Sequence, residues 1–158
     1  MTSYNLLRKP WLPVVRADGT REPIRLRDIS ALEIIRIDTG RGDCDIALTE
    51  MLIGLLAVVL DPRMSKVSWI KRWRSPPTAE DLDAAFEPLA PAFDFDGVGA
   101  RFFQDIEELT GGTTPVASLL IDAPAEHFVK PGGIRVLSRR GAAIALATLQ
   151  TCAPAGGA

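Results

Sequence analysis

The sequence is poor in the residues that build most small active sites. Only two cysteines, Cys44 and Cys152, and one histidine, His127, occur in 158 residues. Two thiols are too few for the disulfide framework of small secreted domains. One imidazole and two distant thiols do not make a four-ligand zinc site. A long hydrophobic run is missing too. The greasiest stretch, Met51 to Leu60, falls well short of the roughly 20 residues that span a bilayer, and reads as a buried helix segment. The N-terminus, Met1-Thr2-Ser3-Tyr4-Asn5, lacks the apolar core of a signal peptide. Thr110-Gly111-Gly112-Thr113 lacks the lysine and the spacing of a phosphate-binding loop, and no dinucleotide fingerprint occurs. These absences fit a cytoplasmic protein with no membrane association, no cofactor and no bound metal.

What is present is charge in blocks. The formal net charge is only −2, yet Arg63 to Pro77 holds five bases and no acid, and Thr78 to Glu108 holds nine acids and one base, Arg101. From Phe128 to the last residue there is again no acid, while Lys130, Arg135, Arg139 and Arg140 are positive. A near-neutral total therefore conceals local potentials of both signs. Each block taken alone also fits an ordinary solvated face.

The pattern of elements predicts a mixed α+β chain with an N-terminal β-hairpin and a central buried helix. Trp11 to Val15 and Glu22 to Leu26 are extended runs either side of Asp18-Gly19, the spacing of a hairpin. Pro13 cannot donate to a ladder, which places it at an edge or a bulge. Leu26 to Ile29 opens a helical turn, and Ile34 to Ile37 is a further strand. Asp43 or Asp45 caps a helix running to about Leu60, whose apolar residues cover more than one face. A shorter helix, Ser65 to Trp73, carries the first basic block. Thr78-Ala79-Glu80-Asp81 caps another, ending near Pro88 or Pro91. Phe93 to Gly97 reads as a turn, Arg101 to Ile106 as extended, and Glu107 to Pro115 as a polar loop. Ser118 to Asp122 fits a strand or a helical turn. A basic apolar helix spans about Ser138 to Thr151.

Candidate chemistry is sparse. His127 with Cys44 or Cys152 would make a cysteine hydrolase, but no familiar motif surrounds either thiol, and free cysteines are more often packed small hydrophobes. The acids from Glu80 to Asp96 sit where carboxylates cap and solvate. Trp69 and Trp73, four apart, share one helical face. Their default role is to anchor the helix in the core, and the alternative is a nucleic-acid or partner contact. Phe128-Val129-Lys130-Pro131-Gly132 puts apolar bulk on a loop. It either folds Phe128 back into the core or forms an exposed finger, Phe128 stacking on a base and Lys130 meeting phosphate.

Together these residues resemble a known family. Asn5-Leu6-Leu7 and Pro10-Trp11-Leu12-Pro13-Val14 look like the opening of CasA, the large subunit of the type I-E CRISPR Cascade surveillance complex. Phe128-Val129-Lys130-Pro131-Gly132, the alanine-rich Gly141 to Gln150 and the Ala153 to Gly157 loop resemble later motifs of that family, in order. The resemblance implies a non-enzymatic, nucleic-acid-binding subunit in antiviral defence. Its partners would be the other Cascade subunits, the guide crRNA, target double-stranded DNA and the Cas3 nuclease-helicase. Phe128, Val129 and Lys130 would contact the crRNA 5′ handle. Gly156 and Gly157 would let the backbone approach the PAM duplex, with Arg135, Arg139 and Arg140 adding positive charge. It also implies that residues 1–158 are an N-terminal portion of a larger α/β domain, stopping at the glycine loop, with the C-terminal helical bundle absent.

Two further points qualify the likeness. Some relatives carry a Cys-x-x-Cys metal pair where this sequence has Ser138 and Gly141, so no zinc is expected. Lys130 stands where some relatives have an amide side chain, which favours phosphate over a base edge. The competing readings are a small cysteine-dependent hydrolase and a protein-interaction module that does not touch nucleic acid.

Overall fold

The structure, a computed structural model, describes residues 3–60, 63–97, 99, 101–104, 116 and 136–152. Among these residues, three antiparallel strands and four α-helices, with the 3-10 turns Leu26–Ser30 and Glu87–Phe93, make the α+β architecture expected from the sequence. Strand β1 (Leu12–Arg16) pairs with β2 (Arg21–Ile24) through a hairpin. The turn works because Gly19 takes a left-handed φ of 86°, and the Asp18 carboxylate accepts the Thr20 amide at 2.8 Å. A 3-10 turn, Leu26–Ser30, leads to β3 (Ile34–Ile37), which returns to the other edge of β1.

The sheet order β2-β1-β3 makes β1 the central strand, so Pro13 lies neither at an edge nor at the bulge. The bulge falls at Val15/Arg16 instead. Pro13 is tolerated because β3 ends at Ile37, beside it. Its carbonyl still accepts the Asp38 amide at 3.0 Å, so only one donor is lost at the margin of the ladder.

Helix α1 (Gly42–Val59) starts after Arg41, which offers no side-chain cap. Asp43 and Asp45, expected as caps, lie inside the first turn. Asp45 accepts the Thr39 amide at 2.7 Å and the Thr39 hydroxyl at 2.6 Å, while Asp43 pairs with Arg41 at 2.7 Å. That guanidinium holds the Asp43 carboxyl below its ordinary value. One face of α1, including Ala47, Leu48, Leu52 and Leu55, enters the core, whereas Ile46, Ile53 and Val58 stand in the open.

Helix α2 (Lys66–Arg74) begins at Ser65, whose hydroxyl accepts the Ser68 amide, and has no buried residue. Helix α3 (Ala79–Phe86) starts with a capping box, Thr78 and Asp81 satisfying each other's backbone amides. It buries Leu82 and Phe86 and passes into the 3-10 turn Glu87–Phe93. Residues 101–104 are not extended. Phe102 donates its amide to Asp94 and the chain reverses at Phe103, at a left-handed φ of 49°. This inserts Phe102 between Trp11 and Phe93, ring centroids 5.6 and 5.4 Å away. Leu6 and Leu7 join this core, which continues through Leu48 and Leu52 to Ala143 and Ala147 of helix α4 (Arg139–Cys152). Small residues on α4 let it lie close against α1.

Candidate nucleic-acid interface

Of the residues proposed to touch nucleic acid, Arg139 and Arg140 lie within the described part, as the first two residues of α4. Phe128, Val129, Lys130, Arg135, Gly156 and Gly157 lie outside the described residues, as do His127 and the segments 105–115 and 118–122.

The start of α4 is built locally. Ser138 accepts the Gly141 amide on its hydroxyl at 3.1 Å, and its carbonyl accepts the Ala142 amide at 2.8 Å. Ser138 and Gly141 together supply the helix start. The alanine face below is sealed: Ala143, Ala145 and Ala147 are buried, and Thr148 returns its hydroxyl to the Ile144 carbonyl at 2.8 Å. The rigid underside holds the two arginines at the surface.

The two arginines differ in what surrounds them. The Arg139 guanidinium bonds the Asp96 carboxylate at 2.9 Å and sits 5.4 Å from the centroid of the Tyr4 ring. Asp96 accepts the Tyr4 amide at 2.6 Å, and the Ser3 hydroxyl donates to the Asp96 carbonyl. The Tyr4 amide, and then the charge of Arg139, hold the Asp96 carboxyl below its ordinary value of 3.8. Arg139 therefore pins the N-terminal segment, the 94–97 turn and α4 together. Arg140 is exposed and has no ion pair among the described residues. The sequence foresaw the charge of Arg139 but not this clasp. The only signal was the short acidic turn Asp94-Phe95-Asp96-Gly97.

The other candidates are also placed. Cys44 is buried in the first turn of α1, sealed from any substrate, and Cys152 is half-buried at the end of α4. Among the described residues, no three His, Cys, Asp or Glu side chains converge as metal ligands. No described helix is long and apolar enough to cross a membrane. Trp69 and Trp73 correct the expectation of a core anchor: they are 51% and 82% exposed.

The fold is shared with solved structures of Cse1 proteins. The chain resembles Thermus thermophilus CasA (Cse1), with a TM-score of 0.80 and 22% identity over 98% of this chain and 33% of that one. It resembles Cse1 from Acidimicrobium ferrooxidans at a TM-score of 0.78 and 26% identity, over 94% of this chain and 29% of that one. Thermobifida fusca Cse1 gives a TM-score of 0.78 and 21% identity, over 92% and 29%. The fold is thus that of one part of the Cse1 proteins, and the chain spans less than two thirds of their length. None of the curated proteins compared matches the chain. The profile of the CRISPR-associated protein Cse1 family matches residues 5–158, and the chain belongs to that family.

Proposed function

We propose that the chain is the nucleic-acid-binding N-terminal part of a Cascade large subunit, without enzymatic activity of its own. In this reading it contacts the crRNA 5′ handle and helps recognise the PAM in foreign DNA during antiviral defence. Assembly is with the other Cascade subunits on the guide, with the Cas3 nuclease-helicase recruited afterwards. The observation that carries the reading is family membership across residues 5–158. The acid-free charge from Phe128 onward supports it, since contacts to phosphate are electrostatic and tolerant of sequence. Phe128 supplies a stacking surface, Lys130 and Arg140 phosphate contacts, and Gly156 and Gly157 a close backbone approach.

The test is association with the guide-bearing assembly across a salt series. Phe128→Ala is expected to weaken association roughly 5- to 160-fold, the range for one lost base stack of about 1–3 kcal/mol. Lys130→Ala is expected to lower the slope of log affinity against log salt by about 0.7, the value for one single-strand phosphate contact. Gly156→Asp is expected to block target DNA in the full-length context, by bulk and like charge. Unchanged assembly of the Phe128 variant, with unchanged salt slope for the Lys130 variant, would remove the proposal.

A further inference from the structure

The turn Asp94-Phe95-Asp96-Gly97 holds the chain on both sides of residues 105–135. Before them, Phe102 donates its amide to the Asp94 carbonyl at 2.8 Å, and the Gln104 side-chain amide donates to the Phe95 carbonyl at 2.9 Å. After them, two nitrogens of Arg139 each lie 2.9 Å from one oxygen of the Asp96 carboxylate. The turn is itself fixed by the N-terminal segment. Phe95 donates its amide to the Tyr4 carbonyl at 2.9 Å, and the Tyr4 amide is accepted by the second Asp96 oxygen at 2.6 Å. Gln104 and Arg139, far apart in sequence, are thus tied to neighbouring residues of one turn.

The surrounding charge sets the role of Arg139. Its guanidinium is matched by Asp96, and Asp94 stands in the same turn, its carboxylate accepting the Ser3 hydroxyl at 2.8 Å. A phosphate approaching Arg139 meets two carboxylates for one guanidinium, and like charge offsets the attraction. Arg140, next along α4, has no ion pair among the described residues and keeps its charge for a partner. We propose that Arg139 is a positioning residue, acting through Asp96 on the nucleic-acid contacts around it, and is not itself a phosphate contact. The assignment rests on the nucleic-acid reading of those contacts. Phe128, Lys130 and Arg135 fall between the two tethers in sequence, and Arg140 follows the second. Fixing both ends of a chain segment before binding reduces the ordering entropy that association must overcome.

The experiment measures association with the guide-bearing assembly across a salt series, in the full-length context and well below the melting midpoint. Asp96→Asn keeps an oxygen for the Tyr4 amide and drops the charge. It and Arg139→Ala are each expected to weaken association roughly 2- to 5-fold, the scale of one exposed ion pair, with the salt slope unchanged. The double variant is expected to be no weaker than either single one, because both break the same tether. Asp96→Glu is expected to restore association. Arg140→Ala is expected instead to lower the slope by about 0.7. Thr78→Ala, which loosens the α3 cap and leaves the clasp intact, is expected to leave association unchanged, so a loss of stability alone does not mimic the effect. A phosphate-contacting Arg139 would be released by Asp96→Asn. The proposal is therefore overturned if that variant binds as tightly as the parent or more tightly, or if Arg139→Ala lowers the slope as Arg140→Ala does. Equal weakening by Thr78→Ala would also overturn it. Phe128→Ala separates the two failures. Unchanged association of that variant, with an unchanged slope for Lys130→Ala, removes the nucleic-acid reading and this assignment with it. A weakened Phe128 variant beside an unaffected Asp96→Asn removes this assignment alone.

Discussion

Asp96 gathers the Tyr4 amide and the Arg139 guanidinium on one carboxylate, so three distant parts of the chain share a single titratable group. Both partners favour the charged form, which lowers its pKa in the fold. The sign follows from linkage. A depressed carboxyl contributes fully above the unfolded value of about 3.9, and its contribution fades as pH falls through the folded value. Carboxyl NMR is expected to place the Asp96 midpoint below 3.8. Arg139→Ala is expected to move that midpoint upward while leaving it depressed, because the Tyr4 amide remains. A midpoint unchanged by Arg139→Ala would contradict the clasp. Arg140 has no comparable anchor, and its replacement is expected to leave the Asp96 titration alone.

Among the elements, helix ends were legible in the sequence and helix faces were not. Ser65 and Thr78 announce α2 and α3 because a cap is a local device, a hydroxyl meeting an amide three residues on. Thr78→Ala is expected to cost about 0.5–2 kcal/mol in chemical denaturation. Trp73→Ala is expected to change stability by no more than about 0.5 kcal/mol, since its side chain is spread over open surface. The contrast runs against hydrophobicity, and that is where sequence reasoning stopped. A tryptophan pair at helical spacing states that burial is favourable, but not which surface supplies it. Asp43 and Asp45 failed as caps for a related reason. The helix began at Gly42, two residues earlier than a cap at Asp43 would set it, and the carboxylates turned to Arg41 and Thr39. Pro13 was misplaced because the strand that would have needed its amide stops beside it, a fact of tertiary register.

At the scale of the whole molecule, the core is assembled from residues far apart in sequence. Leu6, Leu7 and Trp11 pack with Phe86, Phe93 and Phe102, and Leu48 and Leu52 with Ala143 and Ala147. Removing residues 1–9 is therefore expected to abolish a cooperative thermal transition, although no strand or α-helix lies within the described residues 3–9. Calorimetry checks this, and a deletion that melts as sharply as the intact chain would contradict it. The opening Asn-Leu-Leu and Pro-Trp-Leu-Pro motifs pointed to a family before any contact was known. Part of the physical reason for them is now visible: Asn5 donates to the Ala90 carbonyl and the Asp94 carboxylate at 2.8 and 2.9 Å, and Leu6 and Trp11 are wholly enclosed.

The aromatic cluster closes over a separation of about 90 residues, and this has a consequence for synthesis on the ribosome. Translation at about 5–20 residues per second leaves Trp11 without Phe102 for roughly 5–18 s. Until then the nascent hairpin carries its greasiest side chains uncovered, so a holding chaperone has its natural window on this polypeptide during those seconds.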